Sequence, residues 1–480
     1  MTELLREVPE KIGMSSKVLL ELYEELERNY LPIHSLVIMR HGKIATSGYW
    51  YPYTKDMNHI IYSTSKSITA LAVGLCIEEG RFKLEDRIMN FFPDLIVGPV
   101  QEYARMRTIR HLLTMTDGQL GNPNNSIDRT YCDWLKSYLN SSPRVKPGTL
   151  YGYSNAATIA LSAIIQRVTG MTMMEYLQPR LFDPLGIYDI YCEQHMGIDA
   201  ASRGIHCKTE DLAKIGQLMM QKGKWECKQI IPTHWVKEAT RKQVEVTNFS
   251  ITTDGNPGYG YQWWQYRDGA IGTKGNGGNN VIYNPKYDLV WAYTANLEDN
   301  AGTDPELTHV LWPYIYRSMA EAGETEDHEV YTALWEKERQ LEFAVPKGLD
   351  TRSSQEEYFS GKKYIVGAND AQINDFVITK TLKGLEFVLS MYEDRVPWKF
   401  DAGFNQYIPQ HINVTDDDGW AQYIWRNEHL MECIILLKEK LGSYRFVFYC
   451  DYNEMSLDFF SIGWRDFNRL TAQGMAFYRG

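Results

Sequence analysis

The chain has 480 residues, 44% of them hydrophobic, which is enough for two or three domains with a sizeable buried core. Its 50 basic and 61 acidic residues give a net charge of −11, and no cluster of lysine and arginine is interleaved with aromatic residues, so a nucleic-acid partner is not expected. The N-terminus lacks a signal-peptide pattern and no apolar run approaches about 20 residues, which predicts a cytoplasmic protein without a membrane partner.

The N-terminal part predicts a helix followed by a hairpin. Leucines recur at helical spacing between Leu19 and Leu26, which predicts a helix over residues 3–30. Residues 34–40 and 44–50 are two apolar stretches around a short turn with glycine, which is typical of a β-hairpin. Neither element carries recognisable chemistry.

Residues 62–67, Tyr-Ser-Thr-Ser-Lys-Ser, are the first stretch with catalytic potential. Ser63 and Lys66 stand three positions apart before the apolar run 68–75, so a helix would place both side chains on one face about 5–6 Å apart at Cβ. Burial of that helix would lower the pKa of the lysine, which could then take the proton of the serine. The alternative is that S-x-x-K occurs by chance and Ser63 only caps a helix.

A second informative segment is residues 147–155, Pro-Gly-Thr-Leu-Tyr-Gly-Tyr-Ser-Asn. Its loop presents Tyr153 and Asn155 just before a long apolar helix, and the local alternative is that Ser154 or Asn155 caps that helix. Residues 152–156 also approximate the nucleophile elbow of α/β-hydrolases. A Pro-Gly turn rather than a β-strand precedes them, so we reject that interpretation.

Residues 273–283, Thr-Lys-Gly-Asn-Gly-Gly-Asn-Asn-Val-Ile-Tyr, place glycines at the start of a strand. Glycine allows a backbone to come close to another group, and here a bound acyl group is the candidate. A phosphate loop would need G-x-x-x-x-G-K-[ST] before a helix, and neither feature is present. The local alternative is a plain hairpin turn.

Two other polar residues are interpreted as structural. His111 lies within the helical pattern of residues 108–118, where a histidine most often packs against the backbone. Thr209 precedes two acidic residues and is expected to cap another helix of the scaffold.

The composition changes after residue 320, which predicts three parts with boundaries at 1–320, 321–352 and 353–480. The middle part is charged and helical and is interpreted as a linker or bridging helix. In the last part, residues 385–391 and 444–450 alternate apolar and polar side chains with a period of 2, which predicts an all-β barrel or sandwich.

Taken together, these motifs resemble the penicillin-binding-protein/β-lactamase superfamily of serine hydrolases, in particular the class C-like branch with esterases, D-aminopeptidases and 6-aminohexanoate-dimer hydrolases. The resemblance covers residues 8–318, with S-x-x-K at Ser63, Y-x-N at Tyr153 and a third, strand-borne motif in the family's order. It implies an α+β fold, an α/β sandwich in which helices flank an antiparallel sheet. The C-terminal β-domain is similar to the lipocalin-like appendage of some members.

The resemblance also implies a role for each site residue. Ser63 would attack a carbonyl and become acylated, Lys66 would accept its proton, and Tyr153 would relay a proton to the leaving group and later activate water. Asn155 would hold the substrate amide or Lys66. Backbone N–H groups of Ser63 and Asn279 would bind the oxyanion, each worth about 10²–10³ in rate. No metal or organic cofactor is expected, and the seven scattered cysteines are interpreted as reduced thiols.

The third motif departs from the family pattern, because Asn276-Gly277-Gly278 stands where relatives have K-T-G or H-x-G. A lysine or histidine there favours a substrate carboxylate and helps to keep the tyrosine acidic. Asn276 therefore points to a neutral amide or ester rather than to penicillin or D-Ala-D-Ala. Lys274 could replace the missing charge, on the same face of the strand but about 6–7 Å away.

Three classes of function follow. The main hypothesis is a hydrolase of a small molecule or short peptide that forms an acyl-enzyme on Ser63. An acyltransferase of the same fold would pass the acyl group to an alcohol or amine, with Trp263 and Trp264 lining the acceptor site, and a non-catalytic scaffold would keep the fold alone. Specificity is expected in the loops 118–146 and 242–258, and a homo-oligomer is compatible with the sequence.

Overall fold

Two large β-sheets organise the chain, one in the N-terminal two thirds and one near the C-terminus. The computed structural model describes residues 3–119, 134–246, 258–297, 305–323, 327–343, 345, 348–367, 369, 372–391, 396–413, 415–439, 442–452, 454–462 and 472–478. Within them the helices are α1 (Ser16–Arg28), α2 (Ser65–Glu78), α3 (Glu102–Met106), α4 (Ile109–Leu113), α5 (Trp134–Asn140), α6 (Asn155–Thr169), α7 (Met173–Leu177), α8 (Asp183–Leu185), α9 (Thr209–Met220), α10 (Thr233–Thr240), α11 (Pro305–Ala320), α12 (His328–Arg339) and α13 (Gln355–Phe359).

The strands of the N-terminal part are β1 (Ile33–Arg40), β2 (Lys43–Tyr49), β3 (His59–Ile60), β4 (Tyr191–Cys192), β5 (Gln194–His195), β6 (Ile198–Asp199), β7 (Ile205–Cys207), β8 (Lys224–Trp225), β9 (Lys228–Gln229), β10 (Val244–Glu245), β11 (Gly258–Tyr259), β12 (Trp264–Gln265), β13 (Ile271–Gly272), β14 (Asn280–Asn284) and β15 (Leu289–Ala295). Those of the C-terminal part are β16 (Lys363–Val366), β17 (Ile373–Lys380), β18 (Gly384–Met391), β19 (Trp398–Phe404), β20 (Ile408–Ile412), β21 (Asp417–Trp425), β22 (Leu430–Leu437), β23 (Ser443–Asp451), β24 (Glu454–Ile462) and β25 (Ala472–Tyr478).

The N-terminal helix is shorter than predicted. Only Ser16–Arg28 is α-helical, and a 3₁₀ turn at Pro9–Ile12 precedes it. Gly13 separates the two elements with a φ of +69°, a conformation that an α-helix cannot continue through. Ser15 caps α1, because its hydroxyl oxygen accepts a hydrogen bond from the Val18 N–H. The predicted hairpin is present as β1 and β2.

The N-terminal sheet has the order β10-β11-β12-β13-β14-β15-β1-β2, and every neighbouring pair is antiparallel. Consecutive residues of a strand point to opposite faces. Val290 of β15 faces α9, where a Cβ on Gly216 would lie 2.7 Å from its Cγ1. Trp291 faces α11 and packs edge-on against Trp312, with ring centroids 4.9 Å apart. Helices therefore cover both faces, which confirms the predicted α+β sandwich.

Helix α2 lies inside the core. Residues 65–74 are all buried, which accounts for the apolar run that follows Lys66. Gly74 gives room to Trp235, whose indole nitrogen donates a hydrogen bond to the Ala70 carbonyl at 3.0 Å. A Cβ on Gly74 would lie 2.2 Å from that nitrogen, so α2 and α10 are locked together at this point.

The strands β16–β25 form one sheet that curls into a nearly closed barrel. β16 pairs with β25, and the parallel pairing of Gly403 and Phe404 with Gln422 and Tyr423 joins β19 to β21. Aromatic rings such as Phe446 fill the core, so the barrel is packed with side chains. The prediction of an all-β C-terminal domain is confirmed.

The charged segment predicted as a linker contains α12, which packs on the N-terminal part. Glu338 of this helix accepts hydrogen bonds from Arg6 at 2.5 Å and from the Ser47 N–H at 3.3 Å.

The exact domain boundaries remain predictions. Among the described residues, no helix combines the length and apolarity that crossing a bilayer requires.

We expect Gly74→Leu to destabilise the protein by roughly 3 kcal/mol or more, because the new side chain must displace the buried Trp235 indole. The midpoint of urea denaturation measures the change. Gly367→Leu is the control, since a Cβ there would meet nothing within 4 Å. Equal midpoints for the two variants would contradict the packing of α2 against α10.

Candidate active site

Ser63 lies in a 3₁₀ turn, Tyr62–Thr64, immediately before α2. Tyr62 has a φ of +44°, a conformation that non-glycine residues seldom adopt and that concentrates at functional sites. This sharp bend leaves Ser63 half-buried at the mouth of the helix. The positive end of the helix dipole there favours a developing negative charge.

The structure brings Ser63, Lys66 and Tyr153 together. The Lys66 Nζ donates hydrogen bonds to Ser63 Oγ at 2.9 Å and to the Ser202 carbonyl oxygen at 2.7 Å, and the lysine is only 1% exposed. The same Nζ lies 4.7 Å from the centre of the Tyr153 ring, and the Tyr153 hydroxyl hydrogen-bonds with Ser63. A hydroxyl, an amine and a phenol therefore meet within one hydrogen-bonded cluster.

Burial raises the pKa of Tyr153 well above its ordinary value of 10, and its hydrogen bond with Ser63 opposes that rise only in part. The phenol is therefore protonated at neutral pH. In this state it can donate a proton to a leaving group beside Ser63.

Tyr153 is held by the chain on either side of it. Gly152 donates its N–H to the Met115 carbonyl at 2.8 Å, and the Ser154 N–H points at the Met115 sulfur at 3.3 Å. Ser154 also caps α6, because its hydroxyl accepts from the Ala157 N–H. The cap proposed as an alternative for this segment thus coexists with the Tyr153 site.

Asn155 is the first residue of α6 and is half-buried. Its Oδ1 is shielded from solvent and has no hydrogen-bond partner within the described ranges. A buried amide oxygen without a partner is costly, so a substrate N–H is a natural donor for it.

The third motif, Asn276–Gly278, lies in the turn between β13 and β14. Gly277 and Gly278 have φ of +74° and +85°, which glycine adopts without strain. Gly275 places this turn against the residues on either side of Ser63, since a Cβ there would lie 2.5 Å from the Ile61 carbonyl oxygen and 3.0 Å from Thr64 Oγ1. The glycine-rich turn therefore directly adjoins the Ser63 turn.

The backbone of Asn279 forms hydrogen bonds both within that turn and with Thr64. Its N–H donates to the Gly275 carbonyl at 3.3 Å, and its own carbonyl accepts from the Thr64 hydroxyl at 2.5 Å. The N–H assigned from the sequence to the oxyanion is thus engaged within the turn by a long hydrogen bond. Its role as an oxyanion donor remains a prediction.

Lys274, suggested as a replacement for the missing cation, lies over aromatic rings. Its Nζ is 4.6 Å from the centre of the Trp264 ring and 5.1 Å from that of Tyr266. Trp264 in turn stacks with Tyr153, with centroids 6.4 Å apart.

Trp263, named as part of an acceptor site, is 1% exposed and packs against Tyr283, so it does not line a cleft.

The segment that precedes Thr209, for which the sequence analysis predicted no role, contacts the site through its backbone. Besides the Ser202 carbonyl, Ile205 accepts from the Ile61 N–H at 2.9 Å and donates its own N–H to Ser65 Oγ at 3.2 Å. Backbone groups carry no residue-type signature, so a motif search cannot find them. Thr209, expected as a cap, instead hydrogen-bonds with Ser35.

The remaining candidates have other roles or lie outside the described ranges. His111 closes a capping box with Thr108 at the start of α4. In the part of the chain that the structure describes, no group of three or more His, Cys, Asp or Glu is arranged to hold a metal ion. Cys132 and much of both expected specificity loops, at 120–133 and 247–257, fall outside the described residues.

The family model described as Beta-lactamase matches residues 26–313, more than half of the chain. The chain belongs to the beta-lactamase family. The matched range contains Ser63, Lys66, Tyr153 and the glycine-rich turn. Membership of the beta-lactamase family confirms the resemblance drawn from the motifs.

Two curated relatives and one solved structure show how far the similarity extends. The 6-aminohexanoate-dimer hydrolase of Paenarthrobacter ureafaciens is 25% identical over 280 residues, 53% of this chain and 70% of the relative. The lovastatin esterase of Penicillium rubens is 27% identical over 197 residues, 35% of this chain, so this chain spans 48% of the esterase's length. The octameric penicillin-binding protein homologue from Pyrococcus abyssi matches with a TM-score of 0.50 at 16% identity, covering 96% of this chain and 99% of that one. That likeness concerns the fold.

We expect Gly275→Ala to slow the covalent labelling of Ser63 by a fluorophosphonate roughly 10²-fold, because the added methyl group forces the glycine-rich turn away from the Ser63 turn by about 1 Å. Labelling is followed by mass spectrometry. Gly367→Ala, which adds a methyl group in open space, should label at the wild-type rate. Normal labelling of Gly275→Ala would contradict the close approach of the two turns.

Proposed function

We propose that this chain is a serine hydrolase that cleaves a small amide or ester through an acyl-enzyme on Ser63. The observation that carries the proposal is the buried Lys66 amine, 2.9 Å from the Ser63 hydroxyl. A serine hydroxyl is a weak nucleophile unless an adjacent base removes its proton. The names of the two relatives, a lovastatin esterase and a 6-aminohexanoate-dimer hydrolase, support the same class of reaction.

In the acylation step, Ser63 Oγ attacks the substrate carbonyl carbon while its proton passes to the neutral Lys66 amine. A tetrahedral intermediate forms, and its oxyanion faces the Ser63 N–H and the glycine-rich turn at Gly277–Asn279. The intermediate collapses as the bond to the leaving group breaks. Tyr153 gives its hydroxyl proton to the departing nitrogen or oxygen and regains a proton from Lys66.

Deacylation follows the same path in reverse, with water in place of the leaving group. Tyr153 takes one proton from the water while it passes its own hydroxyl proton to the Lys66 amine, the resulting hydroxide attacks the acyl carbon, and Ser63 Oγ leaves and takes a proton back from Lys66. Asn155, with its unpartnered Oδ1, would orient a substrate N–H beside the scissile bond.

The substrate class follows from the charges around the site. Asn276 supplies no cation at the third motif, and the Lys274 ammonium is stacked on the rings of Trp264 and Tyr266. A substrate carboxylate would therefore find no dedicated partner at the motif position, which favours a neutral acyl group. This supports esters and amides without a carboxylate next to the scissile bond.

We expect a fluorophosphonate to label Ser63 in the wild-type protein and to leave Ser63→Ala unlabelled. Lys66→Met and Tyr153→Phe should each slow labelling or ester hydrolysis by about 10²–10⁴-fold, because each removes a proton-transfer group. The exposed Ser142→Ala is the matched control. An unlabelled Ser63 in the folded wild-type protein would support a non-catalytic scaffold instead.

We expect neutral p-nitrophenyl esters or amino-acid anilides to be turned over faster than nitrocefin, which carries a carboxylate. Asn276→Lys should raise kcat/KM for carboxylate-bearing substrates relative to neutral ones, because it restores a cation at the motif position. Product analysis with an added alcohol or amine tests the acyltransferase alternative. Faster turnover of nitrocefin than of every neutral substrate would contradict the assignment.

A further inference from the structure

We propose that Glu439, which belongs to the C-terminal barrel part, is a positioning residue for the Ser63 site. It acts through β3 and β7, the two short strands that hold the nucleophile turn. The proposal rests on the proposed function, because its effect is read at Ser63.

The backbone of Glu439 is bound to the strand that leads into Ser63. Its carbonyl oxygen accepts the Ile60 N–H at 2.9 Å, only three residues before the nucleophile. Ile60 pairs in β3 with His206 of β7. The barrel part thus binds the backbone of β3, the strand that leads into the Ser63 turn and pairs with β7.

The Glu439 side chain reaches the second strand of that pair. His206 is 3% exposed and lies between two carboxylates, with its Nε2 3.3 Å from Glu193 Oε1 and its Nδ1 3.3 Å from Glu439 Oε2. The imidazole stacks on Tyr191 with centroids 4.5 Å apart, and the Tyr191 hydroxyl donates to Glu439. One carboxylate from the barrel part therefore completes a cluster around the buried His206 of the N-terminal part.

β7 passes this contact to the catalytic amine. Ile205, next to His206, holds Ile61 and Ser65 through its two backbone groups, and the carbonyl of Ser202 accepts from Lys66 at 2.7 Å. Ser202 stands three residues before Ile205, the first residue of β7, so a shift of β7 would also move the acceptor that orients Lys66 towards Ser63. Displacements of about 1 Å at such positions are enough to slow a reaction strongly.

The same end of the barrel also contacts the other side of the site. The Tyr53 hydroxyl donates to the Leu437 carbonyl at 2.9 Å, and Asn296 Nδ2 lies 3.4 Å from Ser443 Oγ. The residue after Asn296, Leu297, donates its N–H to the Gly277 carbonyl of the glycine-rich turn at 3.0 Å. The barrel part thus also contacts the segment that holds the glycine-rich turn.

The charges in the cluster favour an ion pair. Burial opposes the charged form of His206, but the hydrogen bond with Glu193 and the nearby Glu439 carboxylate outweigh it and raise the His206 pKa. The facing His206 imidazole lowers the Glu439 pKa, against the effect of burial, and Lys438 acts in the same direction. His59 of β3 also faces the pair, but burial lowers its pKa to about 4, so it is neutral from pH 5 upward.

The pH dependence follows from these directions. The contribution of a histidine with a raised pKa is present below its ordinary pKa of about 6.5 and is lost as the pH rises through the raised value. The contribution of Glu439 is present above about 4.5 and is lost only as the pH falls through its lowered pKa. The pairing is therefore strongest between about pH 4.5 and 6.5, and it fades in alkaline solution. Tyr191, whose pKa is raised by burial and by Glu439 and Glu193, stays protonated over this range.

Glu439→Gln in the full chain tests the proposal, because it removes the charge and keeps the shape. The rate at which a fluorophosphonate labels Ser63 is measured for the variant and for the wild type at each pH from 5.5 to 9. The ratio of the two rates is then independent of groups that titrate equally in both proteins. We expect labelling to be roughly 2- to 30-fold slower at pH 6, the range of couplings carried by packed networks. The two rates should converge towards pH 9, and the NMR titration of His206 should move to lower pH.

Glu386→Gln is the matched control, since that carboxylate lies on β18 of the barrel and pairs there with Lys399 at 2.9 Å. It should match the wild type at every pH. If thermal unfolding shows that Glu439→Gln does not fold, His206→Gln removes the titrating partner of the same carboxylate and should show the same pH-dependent loss.

The outcomes separate the two proposals. An unlabelled wild-type Ser63 overturns the proposed function. A labelled wild type with an equal rate in Glu439→Gln overturns the positioning role. A loss in Glu439→Gln that is the same at every pH, without a shift of the His206 titration, shows a structural role alone and also overturns it.

Discussion

The candidate site depends on the Lys66 amine being shielded from solvent and held in one position. Lys66 is almost fully buried, and an amine in such surroundings is stable only when its hydrogens find acceptors. Here the acceptors are the Ser63 hydroxyl and the backbone carbonyl of Ser202. The first is the proposed nucleophile, while the second fixes the direction from which Lys66 approaches it. Burial of α2 and the placement of residues 201–207 beside it therefore serve the same purpose.

Close contacts between backbones assemble the rest of the site around this amine. The Ser63 turn bends at Tyr62, which has a positive φ. The loop that carries Tyr153 is hydrogen-bonded to the backbone of Met115, which also has a positive φ. Gly275 allows the glycine-rich turn to contact Ile61. Such conformations are unfavourable by themselves and persist only where surrounding contacts enforce them. They occur here at the points where separate segments must meet within hydrogen-bond distance.

The sequence predicted what side-chain identity and local periodicity encode. Three features could be recognised because each is a short-range pattern: the pair Ser63 and Lys66, the loop with Tyr153, and the period of 2 in the C-terminal part. The break of the first helix at Gly13 was missed, since helical spacing of leucines does not register a single left-handed residue. The sequence could not predict the role of the Ser202 carbonyl or the contact between His206 and Glu439. The former has no residue signature, and the latter joins positions 233 residues apart.

The contact between the two parts of the chain needs more than apolar burial. Tyr53, Trp420 and Leu436 share a small buried cluster at this junction, but hydrophobic contact is not directional and tolerates sliding. A backbone hydrogen bond to Ile60 and a charge facing His206 fix both register and orientation, because each requires particular atoms to meet. Since these directional contacts fall on the strands beside Ser63 and Lys66, the barrel part is held by the same strands that hold the candidate site.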